Sequence, residues 1–178
     1  MNRTAAPRPG PVGAPRTLVL TGVSGAGKST VGRALADRTG AVLVDADDLH
    51  DDAARQKMAG GVPLDDADRE PWIARLADEL DRRSAAGERV VLACSALRRA
   101  HRARLRSAAP DVAFVHLEVS PEELARRLAA RSGHFMPADL LASQLESLEH
   151  PSDEHHAVVD ADAPVEAVVD EVLRVIGA

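Results

Sequence analysis

The sequence predicts an α/β domain built around a parallel sheet, and three observations carry that reading. Short apolar runs alternate with stretches patterned like helices from residue 17 onward. A glycine-rich run, Gly22-Val23-Ser24-Gly25-Ala26-Gly27-Lys28-Ser29, follows the apolar Leu18-Val19-Leu20 directly. Acidic, small or basic clusters then recur just beyond later apolar runs, where an open parallel sheet places its ligands.

The candidate strands are 17–21, 41–45, 89–93, 112–119 and 156–160. Between the first two, 28–39 reads as a helix closed by Gly40. A second helix is expected over 72–86, closed by Gly87, with Trp72, Leu76 and Leu80 at i, i+4 and i+8 on one buried face. After the third strand come Arg98, Arg99, His101, Arg102, Arg104 and Arg106, most of which read as an exposed helix face. Ser120-Pro121-Glu122-Glu123 has the form of a capping box with proline at the first helical position, so a helix starts there. The last helix shows an apolar stripe of Val165, Val168, Val169, Val172, Leu173 and Ile176.

At 178 residues the chain is expected to form one domain over 16–178, after a disordered tail at 1–15 rich in Pro, Gly and Ala. Aromatic residues make up only 2%, so Ala, Val and Leu must build the core. A net charge of −6 argues against a general nucleic-acid binder, and no apolar run is long enough to span a membrane. Cys94 is alone, which excludes an intrachain disulfide and suggests a cytoplasmic protein.

The run at 22–29 is G-x-x-x-x-G-K-[ST], the P-loop of nucleoside-triphosphate-binding proteins, so the fold expected is the P-loop NTPase fold. Its glycines let successive N–H groups turn toward a phosphate chain, which Gly22, Val23, Ser24, Gly25, Ala26, Gly27 and Thr30 would line. Lys28 supplies a point charge for the β- and γ-phosphates, and the Ser29 hydroxyl can hold Mg²⁺. Following the second strand, Asp45-Ala46-Asp47 puts two carboxylates on one face if the strand continues. Alone, such a pair reads as a solvated acidic turn capping the next helix. Behind a P-loop unit it reads as one carboxylate for Mg²⁺ and one for a substrate hydroxyl.

Small residues at Cys94-Ser95-Ala96-Leu97 would leave room for a substrate, with Ser95 as a hydrogen-bond donor. Cys94 itself reads as a small buried residue, and the adjacent His155 and His156 make a poor metal pair. Arg126, Arg127 and Arg131 lead into Ser132-Gly133-His134-Phe135-Met136-Pro137, which suggests a mobile lid with arginines at its base. Each of those arginines reads equally well as part of an ordinary basic helix.

Together these motifs resemble the gluconate kinase family, small P-loop carbohydrate kinases related to shikimate and nucleoside monophosphate kinases. The most specific pieces are Asp47-Asp48-Leu49-His50, Lys57-Met58, Pro63-Leu64, Asp68-Arg69, Pro71-Trp72, Cys94-Ser95-Ala96-Leu97, Gly133-His134-Phe135-Met136-Pro137, Ser143-Gln144 and Leu148-Glu149. The resemblance implies phosphorylation of D-gluconate to 6-phosphogluconate with ATP and Mg²⁺, in a homodimer. It implies a five-stranded sheet ordered 2-3-1-4-5, helices on both faces, and a lid over the nucleotide. It also implies Asp45 near Mg²⁺, Asp47 at the substrate hydroxyl and Arg69 at the carboxylate. Substrate contacts from His50, Ser95, His134 and Gln144 are expected beside these, and loop 160–164 near the adenine. The chain departs from the family pattern at Ala46 (usually Gly), at Asp51-Asp52-Ala53-Ala54 (usually Pro-Pro-Ala-Asn) and at His101 (usually Tyr). Added carboxylates beside an anionic substrate are unfavourable unless they point outward.

The mechanism expected is in-line transfer. Lys28 and Mg²⁺ on Ser29 fix the triphosphate, Asp47 deprotonates the primary hydroxyl, and Arg131 or Arg127 spreads transition-state charge. A GTPase would need Asn-Lys-x-Asp, yet Asn2 is the only asparagine, and Asp37-Arg38-Thr39-Gly40 reads as a helix stop. A kinase for another small molecule and a non-catalytic nucleotide sensor are the remaining rivals.

Overall fold

The computed structural model describes residues 14–130, 138–150 and 157–178. The five strands β1 (Thr17–Thr21), β2 (Val42–Asp45), β3 (Val90–Ala93), β4 (Val112–Glu118) and β5 (Ala157–Asp160) form one sheet in the order β2-β3-β1-β4-β5. Every pairing is parallel, with Leu20 of β1 opposite Ala93 on one side and Val115 on the other. The central strands β1 and β3 are buried along their whole length, as strands covered on both faces must be. Strands β2 and β5 form the edges; Val42 of β2 is exposed, and β5 exposes alternate residues.

Strand alternation sends neighbouring side chains to opposite cores. Val19, Val90 and Leu92 join one core with Trp72, Ile73, Leu76 and Leu80 of helix α3 (Asp66–Ala85) and Leu105 of α4 (Arg99–Ala108). Leu18, Leu20 and Val91 join the other core with Val31 and Leu35 of α1 (Lys28–Thr39) and Val168, Val169 and Val172 of α7 (Val165–Val175). Helices therefore cover both faces, as the family resemblance implies. A smaller cluster of Val23, Leu97 and Leu124 packs above the strand ends, joined by Leu128 of α5 (Pro121–Ala130) and Leu141 of α6 (Ala138–Ser147).

The strand expectations hold to within a residue or two. Helix α1 has the expected bounds, and Gly40 closes it at φ 70°, donating its N–H to the Ala36 carbonyl, so the Asp37–Gly40 string is indeed a helix stop. Helix α3 begins six residues before the expected Trp72. Pro71 looks like a boundary in sequence, but Asp65 and Asp68 form a reciprocal capping box upstream of it. At α5 the Ser120 hydroxyl accepts from the Glu123 N–H at 3.2 Å, while the Glu123 carboxylate accepts from Arg126 and Arg127. Helix α2 (Asp52–Ala59) has too little apolar patterning to be expected from sequence. Among the described residues no helix is long and apolar enough to cross a membrane. Residues 1–13 of the expected tail, the proposed lid at 132–137, Arg131, His134, His155 and His156 lie outside the described residues.

Candidate active site

The glycine run joins β1 to α1 at the carboxyl end of the sheet. Gly22 sits at φ 143°, where a Cβ would come within 2.9 Å of the Leu117 carbonyl oxygen. Gly25 sits at φ 89°, where a Cβ would meet Leu124 at 2.6 Å. Only glycine fits both the dihedrals and the space, so the loop is shaped as a phosphate cradle requires. The Lys28 ammonium donates to the carbonyls of Gly22 and Val23 at 2.9 and 3.0 Å, and the Ser24 N–H donates to Gln144 Oε1 at 2.7 Å.

Two cavities open on either side of this loop. One, of about 520 Å³, is lined by Gly25, Ala26, Gly27, Thr30, Arg126, Arg127 and the segment Ala161–Val165. The other, of about 510 Å³, is lined by Ser24, Lys28, Asp47, His50, Arg69, Ser95 and Gln144 among others. The structure thus gathers the described substrate-site candidates in one cavity and puts loop 160–164 in the other.

Ser29 lies in the first turn of α1, and its hydroxyl donates to Asp45 Oδ2 at 2.6 Å. These two hard oxygen donors at a helix N-terminus suit a Mg²⁺ ion that takes its other ligands from water and phosphate. Among the described residues no three His, Cys, Asp or Glu side chains form a metal cage.

Asp45 and Asp47 would share one strand face only if the strand continued, and it does not. The strand ends at Asp45, and residues Ala46–Leu49 form a 3₁₀ turn capped by the Asp45 side chain, which accepts from the Asp47 N–H at 3.1 Å. That turn, rather than strand alternation, separates the pair: Asp45 faces Ser29 and Asp47 lines the second cavity. Trp72 holds the turn from below, donating its indole N–H to the Ala46 carbonyl at 2.7 Å. Arg55 donates to the Asp48 and His50 carbonyls, and Arg75 to the Leu49 carbonyl. His50 stacks on Trp72 with ring centroids 4.5 Å apart, and its Nδ1 is buried without a hydrogen-bond partner. Burial lowers the His50 pKa below its ordinary value against the pull of Asp47, so the ring is neutral at pH 7.

Farther along the same cavity lie Arg69, Arg98 and His101. Arg98 pairs with Asp66, which also lies 3.8 Å from Arg69. Burial and the neighbouring Arg98 pull the Arg69 guanidinium below its ordinary value, and burial with Arg69 and Arg98 does the same to His101. Asp51 and Asp52 are exposed and line neither cavity; Asp51 caps α2 and pairs with Arg75 at 3.2 Å. The added carboxylates therefore point away from the site.

The wall at Cys94–Leu97 contains the one non-glycine residue with positive φ among the described residues, Ala96 at 36°. Arg102 braces it. Read from sequence as one of an exposed set, Arg102 is instead 1% exposed and donates to the carbonyls of Ala96, Leu97 and Glu149 at 3.0, 2.8 and 3.0 Å. The Glu149 N–H returns a bond to the Leu97 carbonyl at 2.9 Å. Cys94 is buried, and burial pushes its thiol up to about 12, so it is no nucleophile. Arg127 donates to Glu123, to the Ala161 carbonyl at 2.5 Å and to the Ala26 carbonyl at 3.4 Å, tying the phosphate loop to the 160–164 loop.

Sequence reading missed Arg55 and the bracing role of Arg102. Their guanidiniums serve backbone carbonyls brought close only by folding, and no spacing in the chain signals that.

A family model described as an AAA domain matches residues 18–151. The chain is 47% identical over 161 residues to the gluconokinase of Gluconobacter oxydans (strain 621H), covering 90% of each. It is 43% identical over 171 residues to a probable gluconokinase of Xenopus tropicalis, covering 87% of this chain and 90% of that protein. The crystal structure of a gluconokinase from Sinorhizobium meliloti 1021 superposes with a TM-score of 0.84 at 44% identity, covering 92% of each chain. With the phosphate loop, the sheet order and the paired cavities already in place, these likenesses over nearly the whole chain make it a member of the gluconokinase family.

Proposed function

We propose that the chain transfers the γ-phosphoryl group of ATP to the primary hydroxyl of D-gluconate, releasing ADP and 6-phospho-D-gluconate. The observation that carries this reading is the pair of cavities meeting at one phosphate loop, with Ser24 and Lys28 on the acceptor side and Gly25, Ala26, Gly27 and Thr30 on the other. A nucleotide sensor has no use for the second cavity. Its lining includes Lys28, Arg55, Arg69 and Arg98 against Asp47 and Asp48, a positive balance that suits an anionic acceptor.

In this mechanism the backbone N–H groups of 22–30 and the Lys28 ammonium hold the triphosphate. Ser29 and Asp45 would hold Mg²⁺, which would supply charge neutralisation on the phosphate oxygens. Asp47 accepts the proton of the attacking hydroxyl, whose oxygen forms the new P–O bond in line with the bond to ADP that breaks. Arg69 receives the carboxylate, while His50, Ser95 and Gln144 orient the polyol, and His134 is assigned a further contact there. Arg127 and Arg131 are assigned to the charge that spreads over the transferring group. Family membership also supports a cytosolic homodimer, and sedimentation of the full chain tests its oligomeric state. The position of transfer is tested by phosphorus–proton correlation NMR of the product. Phosphate on C6 supports the mechanism; phosphate on any other carbon means that Asp47 does not address the primary hydroxyl.

A further inference from the structure

His101 stands in the acceptor cavity without a part in the mechanism above. It is half-buried on the first turn of α4 and shares the far part of the cavity with Arg69 of α3 and Arg98 just before α4. Its charged neighbours are Arg69 and Arg98, which oppose protonation, and Asp66 and Glu70, which favour it. Asp66 is already shared between the two arginines. The imidazole thus sits beside two fixed cations, in a place that an acceptor carboxylate would neutralise.

Resting on the gluconate reading, we propose that His101 and Arg69 together form the acid-recognising end of the cavity, and that a sugar-acid carboxylate seated there draws a proton onto the imidazole. The electrostatics give the sign. Before binding, burial and the arginines keep the ring neutral near pH 7. A carboxylate beside it offsets the arginines and offers an acceptor to a charged N–H, so the pKa rises on binding. Linkage then requires proton uptake with gluconate, and affinity that improves as pH falls from the bound-state pKa to the lower free-state pKa. Nucleotide affinity does not share this dependence. His50, in the same cavity, faces Asp47, Asp51, Arg55 and Arg75 and titrates separately.

The test is calorimetric titration of D-gluconate into the full chain at pH 7, in two buffers of widely different ionisation heat. The expected result is uptake of a fraction of a proton by the wild type and none by His101→Gln or His101→Phe. At pH 6 the gluconate KM of both variants rises about tenfold, the worth of one charged hydrogen bond, with KM for ATP unchanged. Heats independent of buffer in a wild type that binds gluconate overturn the role of His101 alone, as does uptake retained in both variants. A folded wild type that binds no gluconate overturns the acceptor reading, and this inference with it.

Discussion

Replacing Arg102 by alanine tests how the acceptor wall is held. The guanidinium is buried and serves three backbone carbonyls, two of which belong to the buried residues Ala96 and Leu97. Stranding a buried acceptor costs about 1–3 kcal/mol, so these two alone predict about 2–6 kcal/mol of lost stability. Glu149 is exposed, so its carbonyl regains water and adds little. For a domain of this size 1 kcal/mol shifts Tm by about 2–4 °C, which puts the variant about 4–24 °C lower. Arg102→Met keeps most of the apolar stem and isolates the hydrogen-bonding part of the loss. Because Ser95, Ala96 and Leu97 line the acceptor cavity, both variants should also raise KM for the acceptor more than KM for ATP. Thermal melting and steady-state kinetics below the transition give both numbers. A melting point for Arg102→Met within about 2 °C of wild type would refute the bracing role, since that is below the cost of a single stranded acceptor.

Four further outcomes follow from the same geometry. Asp47→Asn should keep ATP binding and lower kcat about 10²–10⁴-fold, the range for losing a positioned base; near-normal turnover removes Asp47 from that role. Arg69→Lys should raise KM for gluconate and leave KM for ATP in place, because an ammonium cannot offer the fork a carboxylate takes; equal changes in both would make Arg69 structural. Cys94 should resist alkylation at pH 8 in the folded protein and react on denaturation, its thiol being pushed up to about 12 by burial. His50 and His101 both have lowered folded-state pKa values, so their share of stability is complete above about pH 6.5 and is lost as pH falls toward the folded values. Urea midpoints measured from pH 7.5 to 5 should therefore fall, and the fall should shrink in the double glutamine variant.

The strand positions were legible because buried parallel strands are written as unbroken apolar runs such as Leu18-Val19-Leu20 and Val90-Val91-Leu92. The sheet order came from the family resemblance alone, since apolar runs do not say which strands pair. The phosphate loop was legible because its glycines answer to backbone dihedrals, a local demand. Helix α3 began earlier than expected because its start is fixed by the Asp65–Asp68 box, whereas Pro71 offers the more conspicuous local signal. Arg102 and Arg55 were opaque for a different reason. An arginine in a run of arginines looks solvated, and only the fold brings carbonyls of Ala96, Leu97 and Asp48 within reach. Strand alternation would have put Asp45 and Asp47 on one face only if the strand continued, and it gives way at Ala46 to a 3₁₀ turn held by Trp72. The acceptor-side role of Asp47 came from the family resemblance.

The central claim, a phosphate loop serving a sugar-acid acceptor, is tested most directly by ADP production from Mg²⁺-ATP across D-gluconate, other aldonic acids, shikimate and nucleoside monophosphates. Turnover selective for D-gluconate is expected. Preference for a nucleoside monophosphate or shikimate, or no ADP release above background with any acceptor, would contradict it.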